Sequence, residues 1–201
     1  MERKTQLERK TKETNIKLAL NIDGKGMSNI KTRIPFFDHL LTQIAVHGTF
    51  DLKIIAEGDI DIDNHHTIED VAILLGETYN LTLGNKIGIS RVGHCFFPMD
   101  ETLAFAAVDL SSRPYFVKEI NWKNSFLGSK ENNLIPVDLI EHFLYSFAIN
   151  AKISLHVRIL YGNNNHHMAE AIFKALGRSL DYASRLDPKR EQIVPSSKGS
   201  L

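Results

Sequence analysis

A motif of two adjacent histidines and a glutamate occurs twice in this chain of 201 residues, and it constrains the fold more than any other feature. The motif residues are His65, His66 and Glu69 in the first half, and His166, His167 and Glu170 in the second. If each motif opens a helix, the glutamate lies close in angle to both histidines, which themselves diverge by about 100°. One metal ion cannot readily bind both adjacent rings, so the pattern predicts at least two metal positions.

The segments around the two motifs also correspond. Aligning the histidine pairs places residues 37–40, Phe-Asp-His-Leu, over residues 140–143, Ile-Glu-His-Phe. Gly76 and Gly177 lie at equal distances beyond the pairs, and only the loop before each pair differs, by two residues. These correspondences predict an internal repeat of about 45 residues with the order helix, strand, helix.

Apolar periodicity predicts the remaining elements. Helices are predicted from Pro35 to Gly48, from Thr67 to near Gly84, from Val137 to Ala151 and from His166 to about Arg185. Strands are predicted at residues 16–22, 30–34, 51–57, 90–97, 102–110, 115–120 and 154–161. Asp23-Gly24 predicts a hairpin that joins the first two strands, whereas residues 1–12 are predicted to form a charged arm and residues 123–133 an exposed loop.

These elements predict an α/β domain of the two-layer α+β type, internally duplicated, with the helices packed on one face of the sheet. We expect a single domain over residues 1–201. It would consist of two pseudo-repeats, at about 13–88 and 89–186, and a C-terminal tail at 187–201.

The composition restricts the class of protein. The 24 basic and 24 acidic side chains cancel, so no overall field favours nucleic acid or a membrane surface as a partner. Cys95 is the only cysteine, which excludes an internal disulfide or a thiolate zinc site and favours a reducing compartment. The charged N-terminus is unlike a signal peptide, and no apolar run approaches the ~20 residues that span a bilayer. We therefore expect a cytoplasmic protein.

Six of the nine histidines fall in the repeated positions. With the two glutamates they form eight candidate metal ligands: His39, His65, His66, Glu69, His142, His166, His167 and Glu170. Imidazole nitrogens with a carboxylate suit a borderline divalent metal such as manganese, iron, cobalt or zinc, and argue against calcium. The alternative is that the histidines merely begin helices, but the duplication of the whole pattern favours metal ligands.

A second set of residues is cationic: Arg91, Arg113, Lys174 and Lys198, the last preceded by Ser196 and Ser197. Lys174 lies one turn beyond Glu170, so it is expected on the metal side of the same helix. Such groups bind phosphate through charge-assisted hydrogen bonds, although each one alone is more typical of a solvated surface charge. His47 is two turns on from His39 and is expected to line the same cleft as a substrate-binding residue.

Together these motifs carry a resemblance to a known family. They are residues 12–14 (Lys-Glu-Thr), 35–39 (Pro-Phe-Phe-Asp-His), 63–70 (Asp-Asn-His-His-Thr-Ile-Glu-Asp), 98–101 (Pro-Met-Asp-Glu), 109–114 (Asp-Leu-Ser-Ser-Arg-Pro), 141–143 (Glu-His-Phe), 166–174 and 195–199 (Pro-Ser-Ser-Lys-Gly). In this order, over nearly the whole chain, the series resembles imidazoleglycerol-phosphate dehydratase of histidine biosynthesis. Three features depart from the family pattern: Arg33 replaces a small residue, Ser112 replaces a glycine, and the loop at 123–133 is long.

The resemblance implies dehydration of D-erythro-imidazole-glycerol phosphate to imidazole-acetol phosphate, with two Mn²⁺ ions per active site. It also implies a homo-oligomer of twenty-four subunits whose sites are shared between chains. By position, the eight candidate ligands would bind the metals. Other residues would bind the substrate: Arg91, Arg113, Ser196, Ser197 and Lys198 at its phosphate, and Glu13, Gln43 and Lys174 along the pocket.

The reaction removes a proton from a carbon that is hardly acidic, so a proton carrier is needed beside the metals. Glu13 or Glu170 is the hypothesised carrier, and His65 and His167 are further candidates for catalytic residues. Two other functions fit the ligand set. One is a dinuclear metallohydrolase that releases phosphate from esters, and the other is a non-enzymatic binding module whose metals are structural. The neutral charge and the lack of an aromatic and basic stripe count against nucleic-acid binding.

Overall fold

The computed structural model describes residues 2–128 and 134–200. Its helices are α1 (Pro35–Gly48), α2 (His65–Leu83), α3 (Val137–Asn150) and α4 (Asn165–Ser184). Its strands are β1 (Lys4–Lys10), β2 (Thr14–Asn21), β3 (Ser28–Lys31), β4 (Asp51–Gly58), β5 (Val92–Met99), β6 (Thr102–Asp109), β7 (Tyr115–Glu119), β8 (Phe126–Leu127), β9 (Ile135–Pro136) and β10 (Ser154–Tyr161). All four predicted helices are therefore confirmed, with their ends within two residues of the prediction.

The two halves of the chain form equivalent four-stranded sheets. The strand orders are β1-β2-β4-β3 in the first sheet and β5-β6-β10-β7 in the second. In both, the last pair in the order, β4 with β3 or β10 with β7, is parallel and the other pairs are antiparallel. The same topology in both halves confirms the internally duplicated α/β fold.

Each sheet buries one face against helices. Along β2 and β6, alternate residues are buried, as the period of two along a strand requires. Helices α2 and α4 cover these faces, and each also packs against a helix of the opposite half: α2 against α3, and α4 against α1. The buried faces of both sheets and all four helices form one continuous core.

Gly76 and Gly177 explain how closely the helices of each pair approach. A Cβ atom on Gly76 of α2 would lie 2.7 Å from the Phe147 carbonyl oxygen of α3. A Cβ atom on Gly177 of α4 would lie 2.8 Å from the Ile44 carbonyl oxygen of α1. The paired helices run in the same direction, so their N-terminal turns, which carry the histidines, also lie side by side.

Two predictions for the N-terminal region are wrong. Residues 4–10 are not an arm but strand β1, which pairs antiparallel with β2 along its whole length. The prediction failed because β1 is an edge strand with one solvent-exposed face. Charged residues at alternate positions of such a strand remain hydrated, so a charged sequence does not exclude a strand here. Strand β3 does not form a hairpin with β2 either; it pairs in parallel with β4.

The segment at 123–133 is only partly the exposed loop that was predicted. Leu127 is buried, and strand β8 within this segment pairs antiparallel with strand β9, which follows it. Residues 129–133 lie outside the described part of the chain. Across the described ranges, no helix combines the length and apolar character needed to cross a membrane.

Candidate metal centres

Helices α1 and α4 bring together the first candidate centre, which we call the α1–α4 cluster: His39, His166 and Glu170. Oε2 of Glu170 lies 2.9 Å from Nε2 of His39 and 3.2 Å from Nε2 of His166. His166 and Glu170 share one face of α4 because they are one turn apart. His39 comes from the opposite half of the chain, so the centre forms only when the two halves pack together.

The second centre, the α2–α3 cluster, has the same construction: His65 and Glu69 of α2 with His142 of α3. Nε2 of His142 lies 2.9 Å from Oε1 of Glu69, and Nε2 of His65 lies 3.7 Å from Oε2 of the same side chain. In both clusters the three ligand atoms lie within 4.8 Å of one another. Two imidazole nitrogens and one carboxylate at such separations fit one borderline divalent ion per cluster.

Charged neighbours keep Glu170 ionised. Burial alone would raise the pKa of this carboxyl group, but hydrogen bonds from His39 and Lys174 outweigh burial and lower its pKa to about 2. Nζ of Lys174 lies 2.7 Å from Oε1 of Glu170, as the spacing of one turn predicts. An ionised carboxylate that already faces two imidazoles is well suited to hold a cation.

The second histidine of each pair faces away from its cluster. Nδ1 of His66 lies 3.0 Å from Oδ2 of Asp59, and Nδ1 of His167 lies 2.7 Å from Oε2 of Glu101. The hydrogen bond to Asp59 raises the pKa of His66. The structure thus agrees with the helix geometry: adjacent histidines do not converge on one position.

Three predicted substrate-binding residues lie near the α1–α4 cluster. The Gln43 side-chain amide is 3.5 Å from both ring nitrogens of His39, and Lys174 contacts Glu170. His47 packs edge-on against the Phe97 ring, and burial, with the charges of Lys174 and Arg178, lowers the pKa of His47. Glu13 lies instead beside His66, with 3.9 Å between its Oε1 and the Nε2 of that histidine.

A cavity opens beside each cluster. The larger, about 770 Å³, is lined by His39, His166 and Glu170 together with Phe36 and Asn124. The smaller, about 420 Å³, is lined by His65 and by residues of the α2 entry loop and the start of α3. Asn124 and Phe126 come from the segment that was predicted to be an exposed loop, so its first residues belong to the wall of the larger cavity.

The predicted phosphate-binding residues lie at the other end of the molecule. The Arg91 backbone N–H donates to the carbonyl of Ala183, near the C-terminal end of α4, while His166 lies at its N-terminal end. At 1.5 Å per residue these ends are about 25 Å apart. Arg91 pairs with both carboxylate oxygens of Asp109 and donates a hydrogen bond to the carbonyl of Pro195. This bond to Pro195 anchors the C-terminal tail, so that Ser196, Ser197 and Lys198 lie near Arg91.

Arg113 lies at the same end. Ser112, its neighbour, accepts a hydrogen bond of 2.9 Å from Lys86, which follows the C-terminus of α2. The length of α2, about 27 Å from His65 to Leu83, separates this end from the α2–α3 cluster. Within one chain, therefore, the described structure does not bring the phosphate-binding candidates to either cluster.

Sequence reasoning missed three residues. Asp59 and Glu101 contact the outward-facing histidines, and Lys86 is buried beneath Ser112. A signal for Glu101 exists in the sequence. The dipeptide Glu101-Thr102 stands at the start of β6 as Glu13-Thr14 stands at the start of β2, so Glu101 is the counterpart of Glu13 in the repeat. The repeat therefore extends further towards the N-terminus than the histidine motifs indicate. Nothing local marks Asp59 or Lys86, whose roles depend on tertiary contacts.

Comparison with known proteins gives a consistent result. A family model described as imidazoleglycerol-phosphate dehydratase matches residues 32–180. Imidazoleglycerol-phosphate dehydratase of Acetivibrio thermocellus is 50% identical over 201 residues, all of both chains, and that of a Roseiflexus species is 48% identical over 99% of this chain and 98% of its own.

Solved structures agree with the sequence comparison. The crystal structure of the dehydratase from Staphylococcus aureus has a TM-score of 0.81 and 32% identity, covering 92% of this chain and 99% of its own. That of the protein from Pyrococcus furiosus has a TM-score of 0.82 and 33% identity, covering 97% of this chain and 100% of its own.

Proposed function

Because the chain belongs to the imidazoleglycerol-phosphate dehydratase family, hydro-lyases of histidine biosynthesis, we propose that it performs the metal-dependent dehydration of D-erythro-imidazole-glycerol phosphate to imidazole-acetol phosphate. The observation that carries the metal dependence is the pair of clusters, each with two imidazoles and one carboxylate within 4.8 Å. We further propose that the enzyme acts in the cytoplasm, where its free Cys95 would remain reduced.

The proposed cofactor is Mn²⁺, with two ions per active site. The mixed nitrogen and oxygen donors of both clusters suit manganese among other borderline metals. When bound, such an ion supplies positive charge that stabilises negative charge developing on the substrate. The chain supplies the side chains that would bind the ions and fixes their positions. Lys174 anchors the buried carboxylate of Glu170, and the carboxylate of Glu69 lies between His65 and His142.

Glu13 is the residue that we assign to proton transfer. Its side chain is about half exposed, and among the described residues its nearest charged partner is His66, 3.9 Å away. Glu170 is less suitable, because its carboxylate is already engaged by His39, His166 and Lys174 and is proposed to hold a metal ion. In this proposal Glu170, His65 and His167 contribute to catalysis as metal ligands.

The substrate's phosphate is assigned to Arg91, Arg113, Ser196, Ser197 and Lys198, and its remaining polar groups to Gln43, His47 and Lys174. Since the phosphate-binding group lies about 25 Å from the clusters of the same chain, one active site would combine opposite ends of different chains. His66 and His167, which belong to neither cluster of their own chain, would complete the coordination in neighbouring copies. A closed homo-oligomer, proposed to contain twenty-four subunits, satisfies both requirements.

The test is an assay with imidazole-glycerol phosphate after reconstitution with Mn²⁺, together with elemental analysis. We expect the keto product and about two metal ions per chain. His39→Ala and His142→Ala form a matched pair, since each removes one ligand from one cluster, and each is expected to cost one metal ion and the activity. Release of inorganic phosphate without the keto product would contradict the proposal and favour a phosphate-ester hydrolase.

A further inference from the structure

His66 and His167 share one feature: their Nδ1 atom faces a carboxylate. The partner is Asp59 for His66, at 3.0 Å, and Glu101 for His167, at 2.7 Å. A carboxylate in this position accepts a hydrogen bond from the Nδ1–H group, so that the proton of a neutral ring stays on Nδ1 and the lone pair resides on Nε2. Both rings are thereby oriented and set in the tautomer that can bind a metal through Nε2.

The two carboxylates come from positions that are not equivalent in the repeat. Asp59 follows Gly58 at the end of β4, and its counterpart after Gly162 is Asn163, which has no carboxylate. Glu101 precedes Thr102 at the start of β6, and its counterpart before Thr14 is Glu13. At the loop position the second half therefore has an amide instead of a carboxylate, and the carboxylate beside its second histidine comes from the β5–β6 turn.

Glu101 is held firmly in this position. Its Oε1 atom accepts backbone N–H groups of Asn163 and Asn164, at 3.1 and 3.0 Å, and the Thr102 hydroxyl at 3.0 Å. The loop can approach because Gly162 has no side chain: a Cβ atom there would lie 2.6 Å from Oγ1 of Thr102. Oε2 alone is left for His167.

Glu13 has none of these restraints. Within the described ranges its carboxylate accepts no hydrogen bond, and its side chain is 53% exposed. Since Asp59 already orients His66, Glu13 is not needed for that purpose. The equivalent glutamates of the two halves thus have different surroundings.

We propose that Glu101 is a positioning residue for His167, as Asp59 is for His66, and that this division of roles leaves Glu13 free to transfer protons. The proposal rests on the proposed function, in which His66 and His167 are ligands. It assigns different tasks to two glutamates that occupy the same place in the repeat.

Glu101→Gln and Glu13→Gln test the proposal as isosteric changes at equivalent positions. In Glu101→Gln the amide oxygen of the new side chain must face the two backbone N–H groups, so its NH₂ group faces Nδ1 of His167 and the ring proton moves to Nε2. We expect Glu101→Gln to weaken binding of one Mn²⁺ ion by about 10–100-fold in titration calorimetry of the chelator-treated full chain. Glu13→Gln is expected to leave Mn²⁺ affinity unchanged and to lower turnover of the loaded enzyme.

Nitrogen-15 spectra of the imidazole rings provide a second readout, in which only Glu101→Gln should change the tautomer of His167. Asp59→Ala should weaken Mn²⁺ binding as Glu101→Gln does. Equal Mn²⁺ affinity and an unchanged His167 tautomer in correctly folded Glu101→Gln would overturn the proposal. So would an equal loss of affinity in Glu13→Gln. If the wild-type chain itself bound no Mn²⁺, the proposed function would fail instead, which separates the two outcomes.

Discussion

Single residues show where helix geometry suffices and where it does not. The i, i+4 spacing predicts that His166 and Glu170 meet, and their side chains lie 3.2 Å apart. The divergence of His166 from His167 likewise follows from 100° per residue. That His39 completes the cluster does not follow from any local pattern, because α1 reaches α4 only when the two halves pack together.

Arg33 and Ser112, where the chain departs from the family pattern, both have left-handed backbone conformations, with φ of 66° and 59°. Arg33 is exposed, and we expect Arg33→Gly to stabilise the protein by about 0.5–1 kcal/mol, since relief of about 1–2 kcal/mol of strain exceeds the added entropy of glycine. Denaturant unfolding measures the change. Stability equal to or below that of the wild type would contradict the expectation.

Ser112→Gly removes the same strain but also the hydroxyl that accepts from buried Lys86. A lost hydrogen bond to a charged group costs about 1.5–3 kcal/mol, so this substitution should lower the free energy of unfolding where Arg33→Gly raises it. Equal stabilisation by both variants in the same unfolding experiment would show that the Lys86 contact contributes nothing.

At the level of elements, the sequence predicts most helices and strands but not all of their pairings. Periodicity identifies β10 at residues 154–161 because alternate apolar residues face the core. It fails for β1, whose exposed and polar residues lie on an edge strand, and for the partner of β3, which a local turn signal assigned to the wrong neighbour. The second half is two residues shorter before its histidine pair as the net result of two opposite changes. A bulge near Leu160 adds one residue to β10, whereas three residues separate Gly162 from His166 where six separate Gly58 from His65.

Gly76→Ala and Gly177→Ala test the close approach of the helix pairs. The added Cβ atom would lie 2.7–2.8 Å from backbone atoms of the facing helix, which cannot move as a side chain does. We expect a loss of about 1–3 kcal/mol in the free energy of unfolding for each variant. Glu77→Ala, beside Gly76 but exposed, is the control and should change stability by less than about 0.5 kcal/mol. Wild-type stability in both glycine variants would contradict the described packing.

The ion pair of Arg3 with Asp23 tests whether β1 is an ordered strand. Hydrogen bonding to Arg3 lowers the pKa of Asp23, so the pair stabilises the fold above the unfolded-state pKa and this stabilisation disappears as the pH falls through the lower, folded-state pKa. Asp23→Asn should therefore cost about 0.5–1 kcal/mol at pH 7, and this cost should shrink as the pH falls through the lowered folded-state pKa of Asp23. Glu2→Gln, in an exposed pair with Lys4, is the control. A cost for Asp23→Asn that did not depend on pH would contradict the role of this pair.

For the whole molecule, the central feature is the separation of the two groups of residues to which we assign the proposed function. The proposed metal ligands lie at the N-terminal turns of the helices, whereas Arg91, Arg113 and the tail, the proposed phosphate-binding residues, lie beyond the C-terminal ends of α2 and α4. Helices of about 25 Å keep these groups apart in one chain. The proposed oligomer would resolve the separation, because its interfaces would bring opposite ends of different chains together.

Co-assembly of two inactive variants tests this shared site most directly. Arg91→Ala removes a proposed phosphate-binding group and His142→Ala a proposed metal ligand, so each variant alone should be inactive. If the two groups at one site come from different chains, random co-assembly of equal amounts restores both in about a quarter of the sites. Differently tagged chains, co-expressed, purified through both tags and loaded with Mn²⁺, should therefore form keto product from imidazole-glycerol phosphate at about a quarter of the wild-type rate. Mixed assemblies that bind Mn²⁺ but remain as inactive as either variant would contradict the shared site.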